Sequence, residues 1–401
     1  MTAMGSLYEQ TVALDAQFHM HTYARKPVMF VRGEGMRLYD DDGREYLDFV
    51  AGIGAVNLGH SHPAVVEAVR EQIGRLTHVS NLYHVEHRDE LARDLVTLHG
   101  GDARVFFCNS GAEANEGAIK LARKWGRARR GPSCHEIVTA ERSFHGRTLA
   151  TLAATGQPSK QEAFAPLPAG FSHVPLNDIA ALEAAISDAT CAVLLEPVQG
   201  EGGVFPCDPG YLAAARALCD AHGVLLMFDE VQTGMWRTGS AFAWQLYGVR
   251  PDVMCLAKAL ANGLPIGAVV ATSDVADAFS PGDHGSTFGG GPVVCAAARA
   301  CVSALQAERL GDRAVESGEY LRARLRSFAT DTGAVTDVRG AGLMNALEFA
   351  EPIAAEIASE ALARGLVLNS IGAHILRILP PLVCGRPEID TLLAGLYELV
   401  A

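Results

Sequence analysis

The chain has 401 residues, 49% hydrophobic and 20% charged, which is enough for a buried core and two domains. A formal charge of −13 argues against a broad phosphate-binding surface, because nucleic acid affinity rests on clustered Lys and Arg, and no window stays apolar for the length of a membrane helix. Nine cysteines at irregular spacings form neither a paired framework nor a Cys-x-x-Cys metal motif, so a reducing, cytoplasmic setting is expected.

Residues 1–30 carry polar and charged groups throughout and so lack the apolar core of a signal peptide. The segment Leu38 to Leu47 alternates about Asp42-Gly43, a hairpin signal, and residues 1–55 are expected to form a strand-bearing unit packed with the C-terminal domain. From about residue 60 the pattern changes. It predicts helices over 63–76, 87–99, 112–129 and 209–222, alternating with apolar runs at 105–108, 136–140, 192–195, 224–228, 253–257 and 267–272. Strands that are apolar throughout and separated by helices imply a mainly parallel sheet covered on both faces, hence a large α/β domain over 56–292. The basic stretch Lys120 to Arg130 falls at a helix end, where cations meet the dipole, and reads as a solvated terminus. After Gly289-Gly290-Gly291-Pro292 an Ala-rich helical stretch over 293–329 leads to strand-like pieces at 343–349, 367–368 and 375–379 and a last helix over 387–400. This is expected to be a small α+β domain, 293–401, with the site in the cleft between the domains at the carboxyl ends of the large-domain strands.

The chemistry centres on Lys258 and Asp229. A carboxylate at the end of the apolar run Val224 to Phe228 and a lone lysine downstream, flanked by apolar residues, are what pyridoxal 5'-phosphate requires: an amine to hold its aldehyde and an acid to keep its ring nitrogen protonated. The ordinary readings are a solvated strand-end acid and a surface lysine. Ser110-Gly111-Ala112-Glu113 follows a strand and opens a helix, so backbone N–H groups and the positive helix end converge where a phosphate fits; the bare motif also fits an ordinary capping box. In Ser143-Phe144-His145-Gly146-Arg147, Phe144 offers a face to stack on a pyridine and Arg147 a planar cation for a carboxylate. A core aromatic and a surface arginine are the plainer alternatives, and His145 is expected to be structural rather than catalytic. Val231 is placed to pack on the ring and Gln232 to donate to its hydroxyl.

Gly33-Glu34-Gly35, Gly59-His60-Ser61-His62-Pro63, Asn109-Ser110-Gly111-Ala112-Glu113-Ala114, Glu196-Pro197-Val198-Gln199-Gly200-Glu201-Gly202-Gly203, Asp229-Glu230-Val231-Gln232-Thr233-Gly234, the Lys258 segment and Ser286-Thr287-Phe288-Gly289-Gly290 together resemble the class III, ornithine-type aminotransferases, from about Tyr23 to the C-terminus. The resemblance implies fold type I, with a mainly parallel seven-stranded sheet plus a small α+β domain, and a homodimer with shared active sites. It implies that Gly111 and Ala112 hold the phosphate, Phe144 covers the ring, Asp229 pairs with the ring nitrogen and Lys258 binds the aldehyde. Thr287 would reach the neighbouring subunit's phosphate and Ser286 the substrate. Arg147 would take a distal carboxylate, Arg377 would clamp the α-carboxylate, and Glu201 would screen Arg377 while the amine donor is bound. The implied reaction moves the terminal amine of N2-acetylornithine to 2-oxoglutarate. Succinylornithine, ornithine or 4-aminobutyrate are alternative donors, and an aminomutase is the rival reaction. The chain departs from the family pattern at Trp236, where Gly is usual, at Gly291, where Asn is usual, and at Asn345, where an apolar residue is usual.

Overall fold

The computed structural model describes residues 6–400. Its centre is a seven-stranded sheet in the order Ala103–Cys108, Gly267–Thr272, Val253–Leu256, Leu225–Asp229, Thr190–Leu195, Glu136–Ala140, Phe171–Val174. Only Gly267–Thr272 runs antiparallel to its neighbours. The continuous apolar runs are explained by burial on both faces. Ala192, Leu194, Met227 and Cys255 pack under the helix Gly111–Arg130, whereas the alternate residues Val193, Leu195, Leu226 and Phe228 pack against Pro209–His222. The helix Gly111–Arg130 meets the sheet with Ala114, Ala118, Leu121, Ala122 and Trp125, the spacing of a single helix face.

Two smaller sheets adjoin this layer. Phe30–Glu34, Arg37–Asp40 and Glu45–Asp48 form antiparallel pairs, and Leu366–Val367 joins the last of them in parallel, tying the N-terminal hairpin to the C-terminal segment. Val335–Ala341, Met344–Phe349, Ile375–Ile378 and Asn369–Ile371 make the other sheet, all antiparallel.

Several elements differ from the sequence expectation. The edge strand Phe171–Val174 carries Ser172, which is exposed, and His173, which is half-buried, so it lacks the apolar signature of the strands inside the sheet. The stretch 293–329 is two helices, Pro292–Ala307 and Leu310–Thr332, broken where Arg309 takes a left-handed backbone with φ 52°. Val335–Ala341 is half-exposed and laced with Thr336, Asp337 and Arg339, which hid its strand character. The helix Leu7–Phe18 buries none of its side chains and gave no amphipathic signal. The basic run is anchored rather than merely solvated: Arg123 donates to His135 O and Ala169 O, Lys120 to Asp283 O, and Arg130 to Thr190 O and His222 O.

Trp236 also takes a left-handed backbone, φ 62°, the conformation for which glycine is the usual choice. Its indole lies against Gly311, where an added Cβ would fall 2.5 Å from Trp236 Cδ1. Asn345 is fully buried but satisfied, donating to Gly342 O at 3.0 Å and accepting from Arg322 at 3.0 Å.

Candidate active site

The carboxyl ends of five strands of the large sheet face the same side, and the segments that follow them enclose one cavity of about 380 Å³. Cys108 leads to Ser110 and Gly111, Ala140 to Phe144, Leu195 to Glu196, Leu225–Asp229 ends on Asp229, and Leu256 leads to Lys258. All of these lie on its wall except Cys108, Ala140, Leu195 and Leu256, which stay in the sheet. Parallel strands bring residues distant in sequence to one rim, which is why ligand sites form there.

Asp229 is 5% exposed and is held on both oxygens. Val231 N donates to Oδ1 at 3.0 Å, while Asn115 Nδ2 at 2.7 Å and His145 Nδ1 at 2.9 Å meet Oδ2. A carboxylate acceptor at this contact calls for the His145 tautomer with its proton on Nδ1. Its Nε2, and Oδ1 of Asn115, are buried without a partner among the described residues. Asn115 is fixed in turn by donating to His145 O at 2.8 Å.

Lys258 opens the short helix Lys258–Ala261 with a left-handed backbone, φ 46°. For a residue with a Cβ this costs about 1–3 kcal/mol and persists only where the surroundings over-determine it. The following turn is pinned by Asn262, which accepts from Leu58 N at 3.0 Å and donates to Gly59 O at 2.9 Å. Burial lowers the proton affinity of the Lys258 amine, and Arg377 adds to this; the Glu201 and Asp229 carboxylates oppose it without cancelling it.

The helix Gly111–Arg130 begins at the cavity floor. Ser110 caps it by accepting from Glu113 N at 3.2 Å, and Glu113 reaches back to Asn109 N at 2.9 Å. Intrahelical geometry leaves the first N–H groups, at Gly111 and Ala112, free to face the cavity. Gly111 is required: a Cβ there would lie 2.8 Å from Val231 Cγ1. This cradle, the buried acid and the buried amine fit pyridoxal phosphate at its three polar points.

At the other end, Arg377 is 1% exposed and lies behind Glu201. Its Nη1 meets Glu201 Oε1 at 2.5 Å, and Nε and Nη2 both donate to Asn369 Oδ1, at 3.1 and 2.7 Å. Burial alone would raise the Glu201 pKa, but the arginine overrides it and holds the carboxyl below its usual range. Gln232 Nε2 reaches Glu201 at 3.4 Å. Arg147 is exposed at the cavity wall with its guanidinium 5.4 Å from the Phe144 ring centroid. Neither Ser286 nor Thr287 lines this cavity: Ser286 Oγ accepts at 3.0 Å from Nδ2 of Asn109, which does, and Thr287 is exposed.

Sequence reasoning gave no role to Asn115 or Glu196. Glu196 is 6% exposed and bridges two segments, accepting from Phe144 N at 2.9 Å and Gly200 N at 3.1 Å. Burial, with Asp229 nearby, pushes its pKa up to about 7 against the pull of His145. Asn115 had a legible signal: it is the polar residue on an otherwise Ala-lined helix face, one turn beyond Gly111.

Residues 19–400 match the family model described as aminotransferase class-III. The chain is 53% identical over 386 residues to the acetylornithine aminotransferase of Gloeobacter violaceus, covering 96% of each protein. It is 49% identical over 390 residues to that of Methanocaldococcus jannaschii, covering 97% of this chain and 98% of the other. Among solved structures it is similar to an ornithine aminotransferase of Toxoplasma gondii reported with partial occupancy of PLP at the active site. The TM-score is 0.94 and the identity 35%, over 98% of this chain and 94% of that one.

Proposed function

This chain belongs to the class III aminotransferases, and from that premise we propose that it moves the terminal amino group of N2-acetylornithine to 2-oxoglutarate, giving N-acetylglutamate 5-semialdehyde and glutamate. This places it in arginine biosynthesis. The observation that carries the reading is the single cavity in which a depressed-pKa lysine, a fully hydrogen-bonded buried carboxylate and a helix N-terminus converge.

Pyridoxal 5'-phosphate, when bound, supplies an aldehyde that captures amines and a ring that draws electrons from the carbon bearing the transferred nitrogen. We assign Ser110, Gly111 and Ala112 to its phosphate, Phe144 and Val231 to its ring faces, Gln232 to its hydroxyl and Asp229 to its ring nitrogen. Lys258 would hold the aldehyde and, once displaced by the donor, take the proton from the donor's terminal carbon. Its lowered proton affinity suits both tasks, since an unprotonated amine is the nucleophile and the base. Asp229, fixed by three donors, would keep the ring nitrogen protonated without having to move.

Arg147 would take the carboxylate far from the reacting carbon. Arg377 would take the α-carboxylate of 2-oxoglutarate, and Glu201 would neutralise Arg377 while the donor, whose reacting carbon bears no carboxylate, is in place. The exposed position of Thr287, outside its own cavity, supports a homodimer in which this residue completes the partner's phosphate site, with Ser286 near the substrate. Nine buried, unpaired cysteines support a reducing, cytoplasmic setting. We keep the division into 1–55, 56–292 and 293–401 as the domain organisation.

A panel of amine donors with 2-oxoglutarate, followed by glutamate formation, tests the reading. N2-acetylornithine should give the highest kcat/KM. Preference for free ornithine or 4-aminobutyrate would reassign the donor, and turnover without any keto acid would point to an aminomutase.

A further inference from the structure

Two cations lie against the ring of Phe144, which lines the cavity together with Arg147. The Arg147 guanidinium carbon is 5.4 Å and the Lys160 ammonium 6.0 Å from the centroid of Phe144. Neither makes an ion pair among the described residues; Lys160 donates to the neutral Oε1 of Gln157, which leaves N–H donors to spare. The Lys160 segment is fastened to the loop that carries Phe144: Gly156 N donates to Ser143 Oγ at 3.0 Å, and Gln157 Nε2 donates to Arg142 O and Ser143 O at 3.0 and 3.2 Å. Burial and repulsion from Arg147 lower the proton affinity of Lys160, with Glu201 opposing, so the two positive charges feel one another. Two like charges on one ring, neither held in an ion pair among the described residues, favour an incoming anion.

We propose that Lys160 is a second carboxylate-binding residue, sharing with Arg147 the substrate carboxylate that lies farthest from the reacting carbon. This rests on the transamination reading above. The ligand class is a carboxylate because its two oxygens can accept from a planar guanidinium on one side and a point-charge ammonium on the other. In 2-oxoglutarate it is the distal carboxylate; in a donor that reacts at its terminal amine it is the α-carboxylate. A neutral group would leave the repulsion in place.

Steady-state kinetics on the holoenzyme with Lys160→Gln and Lys160→Arg test this. The glutamine variant should raise the KM for 2-oxoglutarate about fivefold, as expected for one partly exposed ion pair, with a smaller change in kcat. The arginine variant should restore KM to within about twofold, because charge rather than packing is what the site needs. An unchanged KM in Lys160→Gln, or an arginine variant as impaired as the glutamine one, would overturn the assignment. If the wild type moves no nitrogen from N2-acetylornithine to 2-oxoglutarate, the functional reading itself fails; if it does and only the Lys160 pattern is absent, this inference alone fails.

Discussion

Arg377 Nη1 stands 2.5 Å from Glu201 Oε1, although 176 residues separate them in the chain. Nε and Nη2 stay on Asn369, and Nη1 also reaches Gly200 O at 3.3 Å and Gln232 Oε1 at 3.4 Å, so the cation stays oriented when Glu201 moves away. A buried arginine so prepared can wait, neutralised, through one half-reaction and take a carboxylate in the other.

Arg377→Ala should therefore injure the two half-reactions unequally. Removing one partner of a buried charge pair costs about 2–5 kcal/mol, so the 2-oxoglutarate half-reaction should slow at least about 30-fold. The donor half-reaction should lose less. Single-turnover measurements of each half separate the two, and equal losses would take Arg377 out of the α-carboxylate role.

Lys258→Ala should abolish covalent capture of the cofactor. Borohydride treatment of the wild type should fix the cofactor mass to the peptide containing Lys258, as read by mass spectrometry. The variant should show no such adduct and should lose at least about 10²-fold to 10⁴-fold in turnover, the usual contribution of a positioned proton carrier. An adduct persisting in the variant would move the attachment site elsewhere.

Asn115→Ala deletes one of the two donors on Asp229 Oδ2. A hydrogen bond to a charged group contributes about 1.5–3 kcal/mol, so kcat should fall about tenfold or more and Tm by a few degrees. Asn115→Asp should be worse, because a second carboxylate would press against Asp229. Full activity in both variants would show that Asp229 does not depend on this contact.

Glu196 supplies a pH signature. Its pKa is raised by burial from 4.5 to about 7, so between these values the unfolded chain is ionised while the folded chain still binds a proton. The folded state then binds more protons than the unfolded one, and stability falls as pH rises through that window, levelling off above 7. Glu196→Gln removes the ionisation and should flatten the fall between pH 4.5 and 7 by about 1–3 kcal/mol, measured by urea unfolding. A variant as pH-sensitive as the wild type would assign the raised proton affinity to another group.

The α/β class, most of the strands inside the sheet and the residues Ser110, Gly111, Phe144, Asp229, Val231, Gln232 and Lys258, now found on one cavity, were legible in the chain itself. The reason is local: apolar runs of strand length, a capping residue after a strand, and acidic or basic residues at strand ends are patterns that short-range chemistry writes into a few neighbouring positions. Only the tertiary structure decided that Asn115 and His145 fix Asp229 across 114 and 84 residues, that Glu196 ties Phe144 to Gly200, and that Lys160 shares a ring with Arg147. The polar edge strand Phe171–Val174 and the break at Arg309 also escaped local patterns, since pairing at a sheet edge and a left-handed turn of a non-glycine residue are imposed by neighbours. Hydrogen bonds between distant side chains depend on which loops the sheet brings to one rim, and that is fixed by strand order, which no short stretch of sequence contains.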